Sequence, residues 1–260
     1  MTLAEINFHS RDSKIALNSR FHQYTVEGGS STRKYTSVTQ FVSASFPCFN
    51  ADAVIQGMRK SSNWKNSTYY GKTDVEIKAL WKRCGQEAAQ KGTQLHRIIE
   101  LYYNNHEIEY DETDVACLYF LKWDKDTEHL WTPYRTEWKI FHAQFQLAGT
   151  VDAVFRRSDG SYHLVDWKRS KKIKKDNPWR KCFAPVGHLP DCNFFKYSLQ
   201  LNIYRFILES QYSLSISQMS IVCLHPENEN SSYLCFDVPI LEKEVENLLK
   251  QRTEAVAVTS

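Results

Sequence analysis

The sequence has little of what defines several large classes of protein. No apolar run approaches the roughly 18 residues that a membrane-spanning helix needs. The 7 cysteines show neither paired spacing nor a CxxC motif, and no signal peptide is recognisable, which argues against a disulfide framework. With only 9 glycines and 7 prolines in 260 residues, a disordered chain is not expected either. We expect a soluble, intracellular, folded protein, in a nuclear, cytoplasmic or mitochondrial location that the sequence does not resolve.

Charge is balanced overall but concentrated in one segment. The formal net charge is only +3, which says little about partners. Between Lys168 and Lys181, however, eight lysines and arginines stand against the single Asp176. Such a run is typical either of a solvated loop or of a surface that binds nucleic acid.

Hydrophobic periodicity predicts alternating helices and strands. Residues 21–36 read as a hairpin around Gly28 and Gly29, and Ser37 and Asn50 are expected to cap two short helices. The longest helical pattern covers 74–103, with a break expected at Gly85 or Gly92. The other predicted elements are helices at 112–125, 197–209 and 240–252 and strands at 134–142, 146–156, 162–168, 218–224 and 233–238. This order predicts one α/β domain over residues 1–260, with a hairpin and helical N-terminal extension at 1–75 and a core at 76–255.

Two of the predicted strands each carry a carboxylate in their interior, Asp152 and Asp166. A three-residue loop with a left-handed Gly160 would place these residues opposite each other, with their Cβ atoms about 5 Å apart. Lys168 would then share their face, whereas a two-residue turn would put the carboxylates on opposite faces. A divalent cation between the carboxylates would explain the pair. A buried ion pair of aspartate and lysine is the alternative.

Two helical segments carry polar residues at helical spacing. In KGTQLHRIIELYY, Gly92, His96 and Glu100 form one stripe, and in YSLQLNIYRFILE, Gln200 and Tyr204 lie on one face. A glycine inside a helix costs about 1 kcal/mol relative to alanine, so close approach of another backbone or a ligand would explain it. A surface or core histidine and an ordinary amphipathic helix are the alternatives.

Taken in order, the patterns GxxxH–x3–E, GxxD, DWK and QxxxY resemble the RecB-like branch of the PD-(D/E)XK nucleases over about residues 90–210. That branch includes CRISPR-associated nucleases and the mitochondrial genome maintenance exonuclease, and YTSVTQF at 35–41 resembles a segment that opens several members. The resemblance implies a restriction-endonuclease-like core, a central mixed sheet flanked by helices, and a nuclease that uses Mg²⁺ or Mn²⁺.

The same resemblance implies roles for individual residues. The implied metal ligands are His96, Asp152, Asp166 and the carbonyl of Trp167. The implied catalytic residues are Lys168, Asp166, Asp152 and, on weaker grounds, Glu100, while Glu137 lies where the family often has an acidic residue. The residues expected to bind nucleic acid are Gln200, Tyr204, Arg169, Ser170, Lys171, Lys172 and Trp179.

Cysteines bear on the cofactor. Members with an iron–sulfur cluster carry a cysteine before the histidine motif and a close group after QxxxY. Cys84 matches the first, but only the separated Cys223 and Cys235 follow QxxxY, so no iron–sulfur cluster is expected.

The expected substrate is DNA, single-stranded or with free ends, cut by an exonuclease or end-processing enzyme with no membrane partner. An RNA endonuclease of the same fold is one alternative. A non-catalytic module that binds nucleic acid is another.

Overall fold

The protein, seen in a computed structural model, is described over residues 1–28, 31–106, 108, 110–111 and 113–258. The helices are α1 (Leu3–Ile6), α2 (Val38–Ser43), α3 (Ala51–Lys60), α4 (Asp74–Tyr103), α5 (Val115–Thr127), α6 (Asn193–Tyr212) and α7 (Glu242–Val258). The strands are β1 (Ile15–Asn18), β2 (Gln23–Gly28), β3 (Ser31–Ser37), β4 (Trp131–His142), β5 (Leu147–Arg157), β6 (Tyr162–Lys168), β7 (Ile216–Cys223) and β8 (Leu234–Asp237). Every predicted helix and strand is present, while α1 and β1 had not been predicted. The predicted hairpin turn at Gly29 lies outside the described residues.

Local side-chain chemistry explains where the first helices begin. The Ser37 hydroxyl accepts a hydrogen bond from the Gln40 amide at 3.1 Å, and the Asn50 side chain accepts one from the Ala53 amide at 3.0 Å. These contacts satisfy amides that would otherwise lack partners at a helix N-terminus. Both caps were predicted, although α2 ends at Ser43 and does not reach the expected boundary near residue 46.

The predicted break in the longest helix was wrong. Helix α4 runs without interruption from Asp74 to Tyr103, through Gly85 and Gly92. Glycine weakens a helix by about 1 kcal/mol but keeps its backbone donor and acceptor, so a well-anchored helix tolerates it. The expected start of α5 at residue 112 lies outside the described residues.

The central sheet is mixed, as expected. Strands follow the order β1-β2-β3-β5-β6-β7-β8, with β4 paired to β5. The pairs β3–β5 and β6–β7 are parallel, and the others are antiparallel. Because β3 pairs with β5, the N-terminal hairpin extends the same sheet as the core strands. The boundary between extension and core at residue 75 stays a prediction.

Helices cover both faces of the sheet. Helices α2, α6 and α7 pack on one face around Leu199, Ile203 and Leu248, while α4 and α5 pack on the other around Ile99 and Phe120. This layered arrangement is the restriction-endonuclease-like core that the sequence resemblance implied.

Strand β5 has an unpaired stretch that positions the site. Strand β4 occupies one edge of β5 along its whole length, so β3 and β6 share the other edge. On that edge β3 pairs as far as Ala148 and β6 begins at Ala153. Within the described residues, 149–152 therefore has no strand partner there. This stretch is the GxxD motif, and its edge opens into a cavity.

Candidate active site

The cavity has a volume of about 830 Å³ and brings together residues far apart in sequence. The lining residues that bear on function are Tyr24, Gly92, His96, Glu137, Gly149, Thr150, Asp152, Lys168, Lys196, Tyr197, Gln200 and Tyr204. The Ser37 and Thr39 side chains of the YTSVTQF segment also line it. Four of the sequence patterns thus converge on one cavity.

The hairpin of β5 and β6 has the predicted register. The Arg157 amide donates to the Ser161 carbonyl at 2.8 Å, and Gly160 is left-handed with φ 82°. Because Ala153 faces Val165, the same register places Asp152 across from Asp166. The Trp167 amide, which lies beyond the last ladder bond, donates to Asp152 Oδ2 at 2.9 Å. One carboxylate of the pair is thereby fixed by the backbone of the neighbouring strand.

His96 projects from α4 into this pair. Its Nδ1 lies 3.1 Å from Glu137 Oε1, and its Nε2 lies 3.1 Å from the Trp167 carbonyl oxygen and 3.7 Å from Asp152 Oδ2. Burial lowers the pKa of His96, but the Asp152 charge and the Glu137 hydrogen bond together outweigh this effect and raise the pKa to about 9. In the metal-free protein His96 is therefore an imidazolium that donates from both nitrogens.

Lys168 lies on the other side of the carboxylate pair. Its Nζ is 2.6 Å from Asp166 Oδ2, 3.9 Å from Asp152 Oδ2 and 5.0 Å from the centre of the Tyr197 ring. Burial lowers the pKa of Lys168, but Asp166 and Asp152 outweigh that effect and raise it above its ordinary value. Lys168 is thus a fixed cation, suited to stabilise negative charge and unsuited to accept a proton.

The carboxylate of Asp166 is buried, which disfavours its charged form. Its side chain is only 3% exposed, and burial raises its pKa to about 6 although the Lys168 cation opposes the shift. Its Oδ2 is in the ion pair with Lys168 yet makes no well-aligned hydrogen bond, and Gln200 Nε2 is 3.4 Å from Oδ1. An incompletely satisfied buried carboxylate of this kind retains capacity for a further electrophile.

Glu137 reaches the cluster through an unusual backbone. It lies in the middle of β4 with a left-handed φ of 44°, and the register of β4 also shifts between Pro133 and Arg135. A non-glycine residue in this conformation costs on the order of 1–3 kcal/mol, and such strain clusters at functional sites. The carboxylate of Glu137 points at His96, so the irregular strand serves the site.

Carboxylate and imidazole atoms here fit a divalent cation. Donor atoms of His96, Glu137 and Asp152 all lie within 4.8 Å of one another. Oxygen ligands with one imidazole suit Mg²⁺ or Mn²⁺. The imidazolium of His96 occupies the position of positive charge in this cluster. Asp166 is not part of this three-residue group, and its Oδ2 is instead 2.6 Å from Lys168 Nζ. The residues present therefore fit the metal that the sequence resemblance implied.

The QxxxY helix meets the GxxD motif directly. An added Cβ on Gly149 would lie 2.5 Å from Tyr204 Cε1, so only glycine admits the tyrosine ring in this position. The Tyr204 hydroxyl is 3.4 Å from Gln200 Nε2, and Tyr204 is 2% exposed. On the N-terminal side, the Tyr24 hydroxyl and Thr150 Oγ1 are 2.9 Å apart. These contacts fix the positions of residues that line the cavity.

Not every predicted site residue is in the cavity. Glu100 pairs with Arg97 at 2.6 Å and does not line it, so the catalytic role expected for Glu100 finds no support in this arrangement, and Glu137 is the acidic partner of His96. The loop residues expected to bind nucleic acid lie outside the cavity, namely Arg169, Ser170, Lys171, Lys172 and Trp179. Lys171 pairs with Glu227 at 2.5 Å, and the Ser170 hydroxyl donates to the Lys172 carbonyl at 3.3 Å.

Three cavity residues were missed by sequence reasoning. Lys196 and Tyr197 precede Gln200 by four and three residues, so helical spacing could have found them. Tyr24 lies on β2 and contacts Thr150, which is far from it in sequence, so no local sequence pattern could have predicted its place in the cavity.

The cysteines proposed for comparison with cluster-bearing relatives lie on separate elements. Cys84 is exposed on α4, and Cys223 and Cys235 lie on β7 and β8. The expectation of no iron–sulfur cluster stays a prediction.

In the described part of the chain, no helix is long and apolar enough to cross a membrane.

Comparison with known families decides the identity of the fold. Residues 107–257, more than half of the chain, match the family model described as the PD-(D/E)XK nuclease superfamily. The chain belongs to this superfamily. The matched part of the nuclease includes Glu137, Asp152, Asp166 and Lys168, while His96 precedes it.

Solved structures resemble this nuclease only distantly. An alkaline exonuclease, LHK-Exo from Laribacter hongkongensis, is 9% identical with a TM-score of 0.39 and covers 86% of this chain and 89% of its own. The protein SSO0001 is 12% identical with a TM-score of 0.29 and covers 85% of this chain and 75% of its own. A comparison with curated proteins gave no significant match.

Proposed function

We propose that this nuclease hydrolyses phosphodiester bonds in DNA with Mg²⁺ or Mn²⁺, as an exonuclease or end-processing enzyme on single strands. The RecB-like branch that its motifs resemble suggests the activity on strand ends. The observation that carries the proposal is the cluster of His96, Glu137 and Asp152, which lines one cavity together with Lys168. Asp166 is the buried ion-pair partner of that lysine.

The metal would be held by His96, Glu137, Asp152 and Asp166, with the Trp167 carbonyl within reach. A divalent ion there would supply an activated water and neutralise charge on the scissile phosphate. To ligate it, His96 must lose one of the two ring protons that face Glu137 and the Trp167 carbonyl in the metal-free protein. Metal binding is therefore expected to release a proton.

Lys168 would act on the phosphate. Its cation is fixed between Asp166 and the Tyr197 ring and is directed into the cavity. It can donate to a phosphate oxygen as negative charge grows in the transition state. Gln200 and Tyr204, on the facing helix, would position the nucleotide beside it.

A second groove continues from the cavity and extends the substrate path. It has a volume of about 510 Å³ and is lined by Phe46, Pro47, Lys174, Asp176, Asn177, Pro178, Trp179, Asp191, Cys192, Asn193 and Lys196. Lys196 lines both the cavity and the groove. A strand that leaves the catalytic cluster past Lys196 would thus meet Lys174 and Trp179.

Trp179 is built to receive an unpaired base. It is 90% exposed, yet its amide donates to Asn177 Oδ1 at 3.2 Å, and the Asn177 side chain donates to the Asp191 carbonyl at 2.8 Å. The loop around the ring is therefore ordered before any ligand binds. Stacking of a base on such an aromatic contributes about 1–3 kcal/mol.

The basic loop does not act as one surface. Lys171 is paired with Glu227, and the Lys175 ammonium lies 5.1 Å from the ring centre of Phe194 and 5.2 Å from that of Phe236. Among the four lysines at positions 171, 172, 174 and 175, Lys174 alone lines the groove. We accordingly assign the strand contact to Lys174 and Lys196.

The proposal is tested with DNA and RNA oligonucleotides of the same sequence, single- and double-stranded and labelled at either end, in Mg²⁺, Mn²⁺ or EDTA. We expect a ladder of products from single-stranded DNA that depends on the metal and disappears in Asp152→Asn. Cleavage that is unimpaired in EDTA would refute the metal mechanism. Preferential cleavage of RNA inside the strand would identify the RNA endonuclease instead.

The groove is tested by matched pairs of substitutions. Lys174→Ala should weaken binding of single-stranded DNA and lower its salt slope by about 0.7, the value for one phosphate contact, while Lys171→Ala should not. Trp179→Ala should weaken binding about 10- to 100-fold, whereas loss of the exposed ring of Tyr70, which is outside the groove, should have no effect. Equal effects within a pair would place the strand elsewhere.

A further inference from the structure

A single carboxylate near the N-terminus binds two residues of β4 that flank Glu137. Asp12 Oδ2 accepts a hydrogen bond from Arg135 Nη1 at 2.7 Å, and Asp12 Oδ1 accepts one from Trp138 Nε1 at 2.8 Å. The Arg135 and Asp12 side chains are only 6% and 16% exposed. The guanidinium of Arg135 also lies 4.5 Å from the centre of the Trp138 ring.

These contacts require a break in the pleat of the strand. Residues three apart on a regular strand point to opposite faces of the sheet. Arg135 and Trp138 nevertheless bind the same carboxylate, and the Arg135 guanidinium contacts the Trp138 ring. Glu137, with its φ of 44°, lies between them and breaks the alternation. The bond pattern of Asp12 and the left-handed conformation of Glu137 are therefore two parts of one arrangement.

Other contacts hold the same stretch of β4. Asn7 donates from its side chain to the Tyr134 carbonyl at 2.9 Å, and its own carbonyl accepts from Arg135 Nη1 at 2.9 Å. Directly after α4, Asn104 donates to Thr136 Oγ1 at 3.0 Å. Residues on both sides of Glu137 are thus tied to neighbouring elements, whereas the carboxylate of Glu137 is left to His96.

We infer that Asp12 is a positioning residue, which holds the irregular stretch of β4 so that the Glu137 carboxylate faces His96 and the metal position. Asp12 does not touch that position and acts on β4 through Arg135 and Trp138, while its Oδ2 also accepts a hydrogen bond from the His9 amide at 3.0 Å. The consequence for metal affinity rests on the proposed function, whereas the consequence for the backbone of Glu137 does not.

The first test is structural and needs no metal. Crystal structures of the parent and of Asp12→Ala should show Glu137 left-handed and 3.1 Å from His96 in the parent, and shifted away from both in the variant. If Glu137 keeps its positive φ and its contact to His96 in the variant, the inference is wrong.

The second test is metal binding, measured by calorimetric titration with Mn²⁺. Asp12→Ala should weaken the affinity about 10- to 100-fold, as is usual when an outer partner of a metal ligand is lost. Glu209→Ala is the matched control, because Glu209 also binds an arginine, Arg205, and a backbone amide, that of Ile216, but does not line the cavity. That control should leave the Mn²⁺ affinity unchanged.

A double-substitution cycle separates positioning from a general loss of structure. In a Glu137→Gln background, Asp12→Ala should cause little further loss of Mn²⁺ affinity, because the group that it positions is already altered. Equal losses in both backgrounds would overturn the inference. Trp138→Phe removes the indole N–H contact to Asp12 but keeps an aromatic side chain, so a folded variant with a smaller loss is expected even if Asp12→Ala folds poorly.

The two proposals fail in different ways. A parent that binds no Mn²⁺ contradicts the proposed metal site, while the position of Glu137 in the two crystal structures still decides the role of Asp12.

Discussion

The contact between Gly149 and Tyr204 makes a sharp prediction for Gly149→Ala. The new Cβ would lie 2.5 Å from Tyr204 Cε1, 2.9 Å from its Oη and 3.1 Å from its Cζ. Carbon atoms in contact are normally about 3.5–4.0 Å apart, so the ring must retreat by about 1 Å. Tyr204 is 2% exposed in a close-packed helix, and overpacking of this kind costs about 1–3 kcal/mol.

The displaced ring would also disturb the residues proposed to act in catalysis. The Tyr204 hydroxyl lies 3.4 Å from Gln200, whose amide lies 3.4 Å from Asp166. A misplacement of about 1 Å in such a chain can cost about 100-fold in rate. We therefore expect Gly149→Ala to lower the free energy of unfolding, measured in urea, and kcat/KM on single-stranded DNA.

A second background isolates the cause. In Tyr204→Leu the space opposite Gly149 is enlarged, so Gly149→Ala should cost at least about 1 kcal/mol less there than in the parent. Gly85→Ala is the control, since nothing lies within 4 Å of a Cβ added at Gly85 and this residue is on an exposed face of α4. If Gly149→Ala costs the same in both backgrounds, Tyr204 does not lie against Gly149.

Two further predictions concern α4 and a buried histidine. Gly92 lines the cavity with nothing within 4 Å of an added Cβ, so Gly92→Ala should stabilise α4 by up to about 1 kcal/mol, as Gly85→Ala should, but only Gly92→Ala should weaken substrate binding. Equal catalytic effects of the two glycine variants would show that no ligand approaches Gly92. Burial lowers the pKa of His163 to about 3, so the folded protein keeps this residue neutral. The unfolded chain takes up the proton near pH 6.5. The contribution of neutral His163 to the free energy of unfolding is therefore fully present above that pH and decreases as the pH drops towards 3. The decrease is about 3 kcal/mol at pH 4.5. Urea unfolding at pH 8 and 4.5 should show this fall in the parent and a smaller one in His163→Gln; equal falls would contradict the assignment.

Local chemistry determined much of the fold in advance. The loop around Gly160 set the register of β5 and β6, because a left-handed residue at that place closes the hairpin with Arg157 opposite Ser161. The register in turn placed Asp152, Asp166 and Lys168 together. Helix caps at Ser37 and Asn50 were equally local. These features depend on residues that are neighbours in sequence, and short-range rules describe them.

Other features depended on contacts between distant segments. No local pattern marks Glu137 as the partner of His96, since its conformation is unfavourable for a glutamate and is held by surrounding contacts, including those of Asp12. The same holds for the division of the basic loop, in which Lys171 faces Glu227 while Lys174 enters the groove. Sequence alone reduced the hairpin to two possible registers, because adjacent strands obey a fixed geometry, and the structure shows the one that brings Asp152 and Asp166 together. Only the tertiary structure decided which acid completes the cluster and which lysines line the groove, because those outcomes depend on packing between elements that lie far apart in the chain.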